Sequence, residues 1–163
     1  MFLTDYTTFP EVRAALGVSD DEIEDDILDL PLYSDMLQIE LEDININLPT
    51  VYATVKDLTT KTDDQLRFLQ TAHLFATYAV ARQLTTSLPL FSPEQITDGK
   101  AAIRRSQDTP YQKVIDAVGR EYSRFRLRLD QLFAVVNSSA SADKVVKSYF
   151  GVISPSVDPI TGN

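Results

Sequence analysis

Residues 111–136 read YQKVIDAVGREYSRFRLRLDQLFAVV, and their spacing decides the fold class. Tyr111, Ile115, Val118, Tyr122, Phe125, Leu129, Leu132 and Val136 follow one another at alternating steps of four and three. That period puts all eight on one face of an α-helix about 39 Å long, at 1.5 Å per residue. Such a seam can serve a coiled coil, but packing against other helices of the same chain is the simpler use. The fold class expected is all-α: an antiparallel helical bundle with one long C-terminal helix.

The preceding segments carry the same grammar. Thr62 and Gln65 have capping-box spacing and open a helix that runs to about Leu88. Leu66, Leu69, His73, Ala76, Val80 and Leu84 form one stripe on it, and Phe68, Ala72, Phe75 and Ala79 a second. Two stripes predict a central, largely buried helix whose small residues admit close neighbours. Ser92-Pro93-Glu94-Gln95 is a further capping box, and its helix is expected to continue through Ala101, Ala102 and Ile103. Towards the N-terminus, Pro10 suits a first helical turn and Gly17 a left-handed stop, so residues 9–17 read as a short helix. Ser19 and Glu22 predict a second helix, with Asp20 and Asp21 in its first turn, where the helix dipole favours negative charge. Pro31 kinks that helix or starts another, and Tyr33, Leu37, Leu41, Ile44 and Leu48 make residues 31–47 amphipathic. Residues 50–61, polar and threonine-rich, read as a connector.

Beyond Val136 the character changes. Residues 144–153 are apolar and β-branched, and Pro155 and Pro159 forbid a regular helix in the turn-rich end. Residues 1–137 are therefore read as a helical bundle domain and residues 138–163 as an irregular, extended C-terminal arm. Tyr149, Phe150, Val152, Ile153 and Ile160 give that arm too much apolar surface for a solvated tail, so it needs a surface to cover.

Composition narrows function. The 163 residues include 15 Lys and Arg against 24 Asp and Glu, a formal charge of −9, which disfavours general nucleic-acid binding. There is no cysteine and one histidine, so thiol chemistry is excluded and a triad or multi-histidine metal site nearly so. His73 falls on an apolar stripe and reads as a hydrogen-bonded core or boundary residue. The acidic run 20–26 lacks the mid-loop glycine and ligand spacing of a calcium loop. No phosphate loop, dinucleotide fingerprint or nucleophile elbow occurs. Enzymatic activity, cofactors and metals are accordingly not expected. No run of apolar residues reaches membrane-spanning length, and the first residues lack a secretory signal, so synthesis in a cytoplasm is expected.

Charge is polarised along the chain. Residues 1–50 hold 13 acids and one base, residues 51–100 balance, and residues 101–163 hold nine bases and six acids. Either these are solvated helix faces, or they form a head-to-tail contact between identical subunits. Asp25 and Asp26 on one side, and Arg120, Arg124 and Arg128 on the other, are the candidate inter-subunit charges.

Residues 8–19, Thr-Phe-Pro-Glu-Val-Arg-Ala-Ala-Leu-Gly-Val-Ser, followed by Glu22-Ile23-Glu24-Asp25, resemble the opening of bacteriophage head-to-tail connector (adaptor, or head completion) proteins. The likeness is best over residues 4–45 and extends loosely, through helical order and the arm, over the chain. It implies a structural virion protein that forms a ring, typically dodecameric, beneath the portal. The ring would join the portal to the tail or neck, with genomic DNA passing unbound through the lumen. Residues 138–163 would dock on the portal, with Phe150, Val152 and Ile153 as anchors. The protein would be made in the host cytoplasm and end in the virion neck, without a membrane. Two other classes compete: an acidic phage-encoded inhibitor or DNA mimic binding a basic host partner, and a small helical enzyme or lytic factor with a carboxylate-only site.

Overall fold

The computed structural model describes residues 3–85, 97–98, 101–102 and 110–142. The chain is all-α, as the periodicity predicts, apart from one two-residue ladder. A 3₁₀ turn at Leu3–Asp5 leads into α1 (Phe9–Leu16). Pro10 sits in the first turn of α1, and the Thr8 N–H and hydroxyl both donate to the Glu11 carboxylate, at 3.2 and 2.6 Å. Gly17 ends the helix at φ 71°. There the Val18 N–H bonds the Arg13 carbonyl and the Gly17 N–H bonds the Ala14 carbonyl, the Schellman pattern that a left-handed residue permits.

The second helix differs from expectation. The Ser19 N–H donates to the Glu22 carboxylate, one half of a capping box, but the hydroxyl donates to the same carboxylate instead of accepting the Glu22 N–H, and only a turn follows. Helix α2 is a single turn, Asp25–Leu28, and Glu24 before it is extended. The cause is tertiary: the buried Arg13 guanidinium donates to the Ile23 carbonyl at 3.0 Å, a group that a continuous helix would have used internally. Ile23 and Leu28 are driven fully into the core by the same turn.

Helix α3 (Pro31–Ile44) starts at its proline and ends where Asn45 turns extended and its side chain accepts the Asn47 N–H at 3.0 Å. The expected connector is instead a helix, α4 (Leu48–Asp57). Pro49 lies in its first turn, the one place where a proline costs a helix nothing, and Leu48, Tyr52 and Val55 are buried at helical spacing. Leu48, expected on the α3 stripe, thus belongs to α4.

Helix α5 (Asp63–Leu84, 22 residues) opens with the predicted Thr62–Gln65 box. Phe68, Ala72, Phe75 and Ala79 are all buried; on the other stripe Ala76, Val80 and Leu84 are buried, Leu69 and His73 half-buried, and Leu66, in the first turn, exposed. Thr97–Asp98 (β1) and Ala101–Ala102 (β2) pair antiparallel, in place of the helix expected to continue through Ala101 and Ala102. The capping box at 92–95 lies outside the described residues.

Helix α6 (Pro110–Ala142, 33 residues) carries the seam and continues past Val136, so Ser138–Ala142, assigned above to the arm, are helical. Val118, Tyr122, Leu129 and Val136 are buried as expected; Phe133 is buried as well, and Leu132 only half so. A straight helix drifts about 20° per heptad against a 3.5-residue repeat, which rotates the buried face from one seam to its neighbour. Phe68 meets Phe133 and Phe75 meets Tyr122, so α5 and α6 run antiparallel; their contact is the most extensive in the described structure. The buried residues of α1 to α6 form one continuous core.

Candidate functional site

Among the described residues, four polar clusters and two exposed helix faces are candidate sites. The first cluster surrounds Arg13. Val12 and Leu16 on one side of α1 are buried, which brings Arg13 under the residues 20–26 turn. Its Nη1 donates to the Asp25 carboxylate at 2.6 Å as well as to Ile23. Asp20, Glu24, Asp25 and Asp26 rim an open cavity of about 330 Å³ above it. Asp25 is thus engaged within its own chain, while Asp26 is exposed. The pair explains the run Val12-Arg13…Leu16-Gly17 as one device: apolar anchors, a buried cation and a left-handed stop that folds the acidic turn back on the helix.

The second cluster holds the N-terminus to α5. His73 is half-buried, its Nδ1 2.6 Å from the Tyr6 carbonyl and its Nε2 3.0 Å from Glu11 Oε1. Both ring nitrogens face oxygen acceptors, and whichever carries a proton donates to its own. The Thr8 hydroxyl first, and His73 after it, hold the Glu11 carboxyl below its ordinary value of 4.5. Beneath them the buried Thr7 and Thr77 hydroxyls lie 2.6 Å apart, and Thr77 donates on to the His73 carbonyl at 3.0 Å. His73 is a boundary residue, as its place on the stripe suggests.

The third cluster joins α3, α5 and α6. The Tyr122 hydroxyl donates to Glu40, and Arg82 lies 4.3 Å over the Tyr122 ring with Nη1 3.9 Å from Glu40 Oε1. Burial, then the Glu40 carboxylate, pushes the Tyr122 hydroxyl pKa up. The sequence marks Tyr122 only as a seam position; a buried tyrosine's need for a hydroxyl partner is the available signal, but Glu40 and Arg82 are not marked by any pattern.

The fourth is an open groove of about 640 Å³ against α4, lined by Asp5, Tyr6, Pro49, Thr50, Tyr52 and Lys56 among others. Tyr6 stacks on Tyr52 at 4.0 Å, and both the Tyr52 hydroxyl and Lys56 Nζ donate to the Asp5 carbonyl, at 3.1 and 3.0 Å. Burial pushes both tyrosine hydroxyls above their usual range, Tyr6 well above it. These polar groups satisfy one another and do not converge on a ligand.

The exposed faces lie on α3 and α6. Arg120, Arg124 and Arg128 are exposed along α6. Arg124 pairs with Glu121 at 3.2 Å on its own helix and lies 5.6 Å from the centre of the Phe125 ring. The structure does not bring these arginines to Asp25, whose described ion pair is with Arg13. Tyr149, Phe150, Val152, Ile153 and Ile160 of the arm lie outside the described residues. Among the described residues, no group of three or more His, Asp or Glu is placed to hold a metal ion, and no helix is long and apolar enough to cross a membrane. Compared with family models, with curated proteins and with solved structures, the chain matches none.

Proposed function

We propose that this chain is a bacteriophage head-to-tail connector subunit, a structural virion protein without chemistry of its own. The observation that carries the reading is the N-terminal likeness at Thr8–Ser19 and Glu22–Asp25. Those residues act together: Val12 and Leu16 anchor, Arg13 clamps Ile23 and Asp25, and Gly17 supplies the left-handed stop. The subunits form a ring under the portal, and the segment after α6 docks on the portal through Tyr149, Phe150, Val152, Ile153 and Ile160. A tail or neck component joins the other side. Genomic DNA passes through the ring, and an acid-rich lining supplied by residues 1–50 would repel phosphate and let it slide. Repeating a weak arm around a ring gives avidity without a tight single contact.

Quantitative mass spectrometry of density-purified particles tests this. The expected result is the chain in particles at about the copy number of the portal. Particles free of it, with the chain wholly in the soluble fraction, would sink the proposal and favour an acidic inhibitor of a basic host partner.

A further inference from the structure

His73, the one histidine of the chain, stands where three elements meet. From α5 it reaches the N-terminal segment through Nδ1, 2.6 Å from the Tyr6 carbonyl, and α1 through Nε2, 3.0 Å from Glu11 Oε1. An imidazole satisfies both contacts only when it carries two protons. With one proton, a ring lone pair faces an oxygen on the side left bare.

The two acceptors are not equivalent. Tyr6 and Thr7 are 4% and 1% exposed, so the peptide between them is fixed by core packing, by the stacking of Tyr6 on Tyr52 and by the Thr7–Thr77 hydroxyl pair. The residue four positions after Tyr6 is Pro10, which has no N–H to offer its carbonyl. His73 is the donor that serves this carbonyl among the described residues, and leaving such a group unserved is costly. The Glu11 side chain is 48% exposed, and its other oxygen already holds the Thr8 N–H and hydroxyl. It turns to water at little cost. The neutral ring therefore keeps its proton on Nδ1, and an arriving proton goes to Nε2.

We propose that His73 is a proton-gated clamp: Nδ1–H holds the Tyr6 carbonyl whether the ring is charged or neutral, and the second proton, on Nε2, ties the start of α1 to α5 through Glu11. The neighbouring charges are engaged with one another. No other residue from Leu69 to Thr77 on α5 titrates. Arg13 of α1 is tied to Asp25, and Lys56 of α4 stands 3.8 Å from the Asp5 carboxylate. Glu40 of α3 meets Tyr122 and Arg82, nine residues along α5 from His73. On α6, Glu121 pairs with Arg124, Arg126 and Asp130 line a cavity with Asp43, and Arg128 is exposed. Glu11 is the carboxylate paired with the ring. It stays ionised until its own lowered value, below 4.5, is reached. Acidification from about pH 8.5 to about pH 5.5, the range in which an imidazole takes its second proton, therefore adds a link. The sense is opposite to the loss that protonation of Glu11 brings at lower pH. The clamp is independent of the connector reading.

Two measurements on the full chain test it. Ring nitrogen–proton correlation NMR should show the proton on Nδ1 at about pH 8.5 and protons on both nitrogens at about pH 5.5. A double-mutant cycle of Glu11→Ala and His73→Asn, whose amide nitrogen stands near the Nδ1 position and retains a donor for Tyr6, isolates the Nε2–Glu11 link. The melting temperatures should be non-additive by about 2–4 °C at about pH 5.5 and additive at about pH 8.5. An Nε2–H tautomer at the higher pH, equal coupling at both values, or no coupling at the lower one would overturn the proposal. If His73→Asn does not fold, the wild-type ring spectra and Glu11→Ala alone decide. The deficit of Glu11→Ala against the wild type should then be larger at about pH 5.5 than at about pH 8.5, and an equal deficit would overturn the clamp.

Discussion

Gly17 shows how one residue's backbone can be tested apart from its contacts. Nothing lies within 4 Å of where a Cβ would stand, so Gly17→Ala is penalised only by its φ of 71°. The expected loss is about 1 kcal/mol, read as a lower urea midpoint at unchanged m, with Gly17→Asn losing less. Glu11 gives a pH signature. Its folded pKa lies below 4.5, so the carboxylate adds stability above that value and loses it as pH falls through the folded value. The melting temperature of the wild type should exceed that of Glu11→Gln at about pH 6, and the gap should close towards about pH 3. Constant separation across that range would mean the carboxylate's charge is irrelevant. The residues that sequence reading identified well were those with local jobs, such as Gly17, Thr62 and Gln65. Arg13 was legible only as a lone base among acids, because its partners at Ile23 and Asp25 are set by how a turn folds back.

Elements follow the same division. The seam of α6 and the paired stripes of α5 were readable because one period persists over many residues, and their mutual burial confirms it. Helix α4 was not, because its apolar set is three residues separated by threonines and its proline reads equally as an end or a beginning. The second helix was overestimated because a capping box licenses a turn, whereas the next carbonyl's partner is decided by tertiary contact. Two substitutions test these elements. Phe75→Ala removes a fully buried ring packed 5.5 Å from Tyr122, and should cost about 3–5 kcal/mol in denaturant unfolding. Tyr122→Phe leaves the packing but strips the hydroxyl from Glu40. It should cost about 1–2 kcal/mol, and much less when Glu40→Ala is already present, since the two groups share one interaction.

At the scale of the whole molecule, every helix from α1 to α6 contributes to one buried cluster among the described residues. Deleting residues 143–163 should therefore leave helix content and the cooperative thermal transition in place while abolishing attachment to portal-bearing particles. A truncated chain that melts without a transition would show that those residues complete the core. The polarised charge was visible in the sequence, but which helices display it was not: side-chain direction on α3 and α6 depends on what each packs against.

Helix α6 outreaches α5 by 11 residues, about 17 Å, and lies antiparallel to it. Tension applied at Ala142 along the helix axis would therefore act in shear. The ring contacts Phe68–Phe133, Phe75–Tyr122 and Tyr78–Phe125 would resist together rather than peel one after another. The same helix pair that forms the core is thus a mechanical splice, strongest in the direction in which its last residue leaves it.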